Sequence, residues 1–192
     1  MIIHLNGWPG VGKKTIGELL AHRIGARLIH NHLLHDVAIV CAGLHTEARW
    51  TLYEKVRREA YEVLAAQPRS DVFVMTNALC RNNVREQQAW KQVVELAVAR
   101  QVPLVPVVLQ AELAENLQRL QSMERTGKKL MDPRLLESYL SMDTIQHPDV
   151  PETLLLDVTH LPAGAAAEQV AAYVNAIRTR LAPATDQHLR MR

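Results

Sequence analysis

Apolar positions along the chain fall into two alternating kinds of segment. Short runs dominated by apolar residues occur at 2–5, 27–31, 71–76, 103–109 and 153–157. Elsewhere apolar residues return every three or four positions, as Ile16, Leu19, Leu20 and Ile24 do. The first kind reads as strand and the second as amphipathic helix. After the helix that contains Ile16, helices are expected over 46–67, 84–100, 112–125, 135–142 and 163–181. The 46–67 helix opens on a threonine suited to capping and closes before Pro68. Residues 32–43 mix polar and apolar types without a clear period. Strands that are apolar at successive positions belong to a parallel sheet covered on both faces, with right-handed crossovers. The expected fold is therefore α/β, a three-layer sandwich around a five-stranded parallel sheet. Residues 1–182 read as a single domain and the polar 183–192 as a frayed tail.

Composition narrows the function classes. The chain has 192 residues, a formal charge of +2, 48% hydrophobic residues, 22% charged residues and only 4% aromatic ones. Such a balance excludes a disordered chain or a coiled coil. The small net charge argues against a duplex-DNA binder, and the few rings argue against a single-strand stacking platform. No nucleic-acid partner is expected. Cys41 and Cys80 form no CxxC pair and read as buried thiols in a reducing compartment. No secretory signal opens the chain, and its longest apolar run, 102–109, carries two prolines and is too short for a membrane span. A cytoplasmic protein with no membrane partner is expected; the oligomeric state is not readable.

The first fifteen residues carry the clearest chemistry. An apolar strand is followed by Gly7-Trp8-Pro9-Gly10-Val11-Gly12-Lys13-Lys14-Thr15 and then by a helical pattern. Glycines at this spacing let consecutive backbone N–H groups turn inward towards phosphate. The helix start adds partial positive charge and Lys13 a full one. Thr15, rather than the residue directly after the lysine, is the candidate hydroxyl for phosphate and for a metal shell. Lys14 is either part of this nucleotide-binding set or a solvated helix residue.

The GxPGxGKxT pattern resembles the nucleoside-monophosphate kinases. With LIHNHLLHD at 28–36, NALCRNNVR at 77–85 and RTGKKLMDPRLLES at 125–138, the chain as a whole resembles P-loop small-molecule kinases of the gluconate kinase and shikimate kinase branch. The resemblance implies the P-loop nucleoside triphosphate hydrolase fold with a lid insertion at about 119–134. It also implies ATP and Mg2+ as cofactors and a small-molecule acceptor. Gluconate kinases have acids where His30 and His32 stand here, which speaks against gluconate itself.

The remaining candidates follow the carboxyl edge of the sheet, where ligands of such folds bind. The end of the second strand is expected beside the P-loop, presenting His30, Asn31, His32, His35 and Asp36 to an acceptor. His32 by position, then Asp36 by charge, is the candidate base that takes the acceptor proton; helix-cap or surface use is the alternative. A zinc site would need more ligands than this cluster supplies. After the third strand no aspartate is present to hold a magnesium shell, so Thr76 or Asn77 would serve through water. Asn77 and Arg81 are candidates to bind the acceptor, with Arg85 one turn on. Arg49, Arg57 and Arg58 on the 46–67 helix suit a phosphate or carboxylate, or form a solvated face.

The lid by resemblance carries Arg119, Arg125, Lys128, Lys129 and Arg134, hinged at Gly127. Arg125 is its catalytic candidate, closing on the phosphates. Phe73 reads as buried and Trp90 as part of a helix, which leaves the Arg119 plane to cover the adenine. The expected function is transfer of the γ-phosphoryl group of ATP to a hydroxyl or phosphate of a small molecule. The alternatives are a nucleoside triphosphatase and a non-catalytic nucleotide-binding module.

Overall fold

A computed structural model describes residues 1–121, 137, 143–146, 148 and 150–181. Five strands form one sheet: β1 (Ile2–Asn6), β2 (Arg27–His30), β3 (Phe73–Thr76), β4 (Leu104–Gln110) and β5 (Leu154–Asp157). Their spatial order is β2-β3-β1-β4-β5, and every pairing is parallel. The six described helices are α1 (Lys13–Ile24), α2 (Asn31–Ala42), α3 (Glu47–Ala65), α4 (Val84–Arg100), α5 (Leu113–Leu120) and α6 (Ala163–Leu181). The three-layer α/β expectation holds.

Alternation along β1 assigns the two faces. Ile3 and Leu5 join a core with Ile16 and Leu20 of α1 and Val170 and Val174 of α6. Ile2 joins the opposite core, where Phe73 and Met75 meet Tyr61 and Leu64 of α3 and Val93 and Leu96 of α4. Burial on both faces is why these strands carry unbroken apolar runs. Local chemistry fixes the helix starts: the Thr46 hydroxyl accepts from Arg49 N at 3.1 Å, and the Asn83 side chain accepts from Arg85 N at 3.0 Å. Arg100 closes the lower end of the second core. Its buried guanidinium donates to the carbonyls of Leu64, Gln67, Pro68 and Asp71, and lies 4.5 Å from the centre of the Phe73 ring.

Several expectations need correcting. Residues 31–42 form helix α2 rather than an irregular stretch; only Ala38 of it is buried, so no clean apolar stripe marks it. The expected adjacency of the second strand and the P-loop does not hold, because β3 is inserted between β2 and β1. Cys41 is exposed, not buried, while Cys80 is buried as expected. The helix expected from 112 is described only to Leu120. Arg125, Gly127, Lys128, Lys129 and Arg134 lie outside the described residues, as does most of the 135–142 helix and the tail from 182. No helix among the described residues is long and apolar enough to cross a membrane.

Candidate phosphate-binding site

β1 delivers the chain to the carboxyl edge, and the glycine loop forms there because other residues do not fit. Gly7 has φ +152°, and a Cβ at this position would stand 2.6 Å from the Leu109 carbonyl oxygen of β4. Gly10 has φ +103°, and a Cβ there would run into the Asn116 side chain of α5. Trp8, within the loop, is half-buried against Cys80, Val108 and Ile145. Gly12 caps α1 in the left-handed region and, as a glycine, offers no side chain to accept from the first turn. The amides of Lys13, Lys14 and Thr15 therefore open towards the loop with the positive end of the helix dipole behind them. Lys13 Nζ donates to the carbonyls of Gly7 at 2.6 Å and Trp8 at 2.8 Å, which holds the ammonium across the loop. Thr15 is exposed, and Lys14 pairs with Glu18 at 3.5 Å along the helix.

The neighbouring strand end is Asn77. Its backbone N–H donates to Leu5 O at 3.1 Å, and its Oδ1 lies 3.0 Å from Nε2 of His4, a fully buried residue of β1. Burial holds the His4 pKa down at about 4, against the raising effect of the Asn77 bond and with a further lowering from Lys13. Asn6 clamps the loop that follows. Its Oδ1 accepts from Leu79 N at 2.7 Å, and its Nδ2 donates to the carbonyls of Leu79 and Gln146, each at 3.1 Å. Burial pushes the Cys80 thiol up, with the Glu86 carboxylate adding to it, so Cys80 stays a neutral packing residue. Arg81 is exposed beyond the clamp. Arg85 is paired with Glu47 and lies 5.4 Å from the Trp50 ring centre.

One strand further out, β2 and α2 bring the second candidate cluster. The Asn31 Oδ1 accepts from Tyr53 OH at 2.6 Å, and the His35 ring stacks on Tyr53 with centroids 3.7 Å apart. Burial first, then the nearby cations, lowers the His35 pKa to about 4, so this ring is neutral near pH 7. His32 is exposed, and Asp36 is half-buried on the same helix. Arg57 is buried, donating from Nε to Gln92 at 2.7 Å and from Nη1 to Tyr53 OH at 3.3 Å. Among the described residues no carboxylate pairs with it. It lines a cavity of about 320 Å³ between α3 and α4, together with Arg58, Arg85, Gln88 and one carboxylate, Glu54, which does not pair with it.

On the far side of the loop, Arg119 donates to the carbonyls of Val158 and Thr159, each at 2.8 Å, and pairs with Glu115 at 2.8 Å. Asp157 accepts from both the amide and the hydroxyl of Thr159, which keeps its carboxylate below its ordinary pKa. These bonds set the Arg119 guanidinium against the turn after β5. The loop, Asn77 and the β2-end residues are the candidates the sequence singles out. His4, Asn6, Trp50, Tyr53 and Asn116, which the structure packs against them, stand in no recognisable spacing.

No family model matches the chain, and no curated protein matches it in sequence. Solved structures do match in shape. A gluconokinase from Sinorhizobium meliloti 1021 is similar over 93% of this chain and 94% of its own, at 21% identity and TM-score 0.63. A tunicamycin resistance protein from Deinococcus radiodurans is similar over 91% and 95%, at 16% identity and TM-score 0.59. Shikimate kinase from Aquifex aeolicus is similar over 93% and 99%, at 15% identity and TM-score 0.51. The chain thus shares the α/β fold of P-loop small-molecule kinases.

Proposed function

We propose that this protein is a small-molecule kinase that transfers the γ-phosphoryl group of ATP to a hydroxyl of a small, anionic acceptor. The observation that carries the reading is the glycine loop at the carboxyl edge of the sheet, closed by Lys13 at the uncapped start of α1. Gly7, Pro9, Gly10, Val11, Gly12, Lys13, Lys14 and Thr15 bind the phosphates through amides and the ammonium, and Arg119 covers the base. Magnesium, held through Thr15, would offset phosphate charge.

In the transfer the acceptor oxygen bonds to the γ-phosphorus, and the bond from that phosphorus to the β–γ bridging oxygen breaks. The acceptor proton passes to a base. His35 is a poor base with its pKa held near 4, which leaves His32 and Asp36 for the role. Asn31, His35, Asn77 and Arg81 bind the acceptor, and Arg125 of the lid stabilises charge on the transferred oxygens.

The anionic character of the acceptor rests on Arg57. A buried guanidinium without a carboxylate is costly, and an anion supplied by the ligand removes that cost. The test is a panel of small hydroxylated carboxylates and phosphates, assayed for acceptor-dependent ADP release. One or more should stimulate release well above the rate without acceptor. Slow hydrolysis that no acceptor changes would replace the kinase reading with a nucleoside triphosphatase. ATP binding without any turnover would leave a nucleotide-binding module. ATP affinity unchanged in Lys13→Ala would overturn the phosphate-loop assignment itself.

A further inference from the structure

β1 carries a histidine where the strand needs only an apolar residue, and the kinase reading gives it no task. His4 is fully buried, its ring 5.3 Å from Trp90, and its one side-chain hydrogen-bonding contact among the described residues is Asn77 Oδ1. Nδ1 of the ring is buried with no hydrogen-bond partner among the described residues. A neutral imidazole has a single N–H, so two arrangements compete. With the proton on Nδ1, a buried donor is stranded and Nε2 must accept from the Asn77 amide nitrogen. With the proton on Nε2, the ring donates to Asn77 Oδ1, and only an acceptor lone pair is left over. Stranded buried donors are the rarer and costlier defect. The Nε2–H form therefore prevails, and the Asn77 oxygen is occupied from behind.

We propose that His4 is a positioning residue that fixes Asn77 with its amide nitrogen towards the phosphate loop, so that Asn77 donates to an anionic oxygen there. This assignment rests on the kinase reading for its functional consequence. It sharpens the expectation that Asn77 stands in for a magnesium-shell aspartate through water. An aspartate at that strand end accepts hydrogen bonds. Asn77, with its oxygen taken by His4, presents donors, and donors suit phosphoryl or carboxylate oxygens rather than metal-bound water. Its backbone amide, fixed to Leu5, holds it one residue past the Leu5–Thr76 pair and so beside the start of the loop.

The first measurement needs no catalysis. Nitrogen-15 spectra of the full-length chain report the histidine tautomer, and His4 should be the neutral Nε2–H form between pH 7.5 and 5.5. An Nδ1–H tautomer or a charged ring in that range would overturn the proposal whether or not the protein is a kinase. Adding the magnesium complex of a non-hydrolysable ATP analogue should shift the Asn77 side-chain NH2 signals in the wild type and in His4→Gln, whose amide still donates. It should not shift them in His4→Leu.

Activity adds a second arm once an acceptor is found. His4→Leu should lower kcat about tenfold with KM for ATP within about threefold, while His4→Gln recovers most of the rate. Equal rates in His4→Leu and wild type, or equal impairment in both variants, would leave His4 a packing residue. Thermal melts of both variants separate these results from unfolding. A wild type with no acceptor-dependent turnover defeats the kinase reading alone, because the tautomer and amide signals still decide the role of His4.

Discussion

Gly10 and Asn116 meet where the glycine loop lies against α5, and the contact leaves no room for a side chain at position 10. Gly10→Ala faces both a left-handed φ and a collision with a buried amide. It should destabilise the protein by about 2 kcal/mol or more and weaken ATP binding, as read by denaturant unfolding and calorimetric titration. The glycine loop was legible because its backbone needs glycine at fixed intervals, at Gly7 and Gly10 for positive φ and for close neighbours. His4 was not, because one histidine inside an apolar run looks like any other core position. Its burial has a consequence for acid stability. The folded pKa of about 4 lies below the unfolded value of 6.5, so the unfolded chain binds the proton first. The contribution is complete above pH 6.5, declines as pH falls from 6.5 towards 4, and amounts to about 3 kcal/mol when fully lost. His35 shifts in the same direction. Unfolding free energies at pH 7.0, 5.5 and 4.5 should fall, and His4→Gln should flatten that slope.

Among the elements, the strands and the long helices α3, α4 and α6 were legible to within a few residues. Each buries one continuous face or both, and that burial dictates the pattern. Helix α2 was not legible, because it packs mainly through small or amphipathic contacts and leaves Leu33, Val37 and Val40 exposed. The loop after β3 is held by Asn6, whose three hydrogen bonds reach Leu79 and Gln146. Asn6→Ala should cost about 2–3 kcal/mol at roughly 1 kcal/mol per bond. It should also raise the acceptor KM, since Asn77 and Arg81 flank the clamped segment. Arg57 offers the opposite signature. Replacing this buried cation, which has no carboxylate partner among the described residues, by methionine should leave the melting temperature unchanged or higher. The acceptor KM should rise about tenfold or more. A lower melting temperature with an unchanged KM would make Arg57 a structural residue.

For the molecule as a whole, unbroken apolar strands alternating with helices announced a parallel sheet, but strand order was invisible, because several orders share one pattern along the chain. The observed order places β3, not β2, beside β1 and the glycine loop that follows it. The β2 end with its α2 cluster therefore stands one strand farther from the glycine loop, and Asn77 takes the intermediate place. Among the described residues β2 is also an edge strand, hydrogen-bonded on one side only, and α2 rests chiefly on α3. An edge unit of this kind can open while the central strands stay closed. Backbone amides of α2 should thus exchange with deuterium long before those of β1, with an opening free energy well below that of global unfolding. ATP should slow exchange in the glycine loop, and an acceptor should slow it in α2. The two substrates would then leave separate protection footprints on one protein.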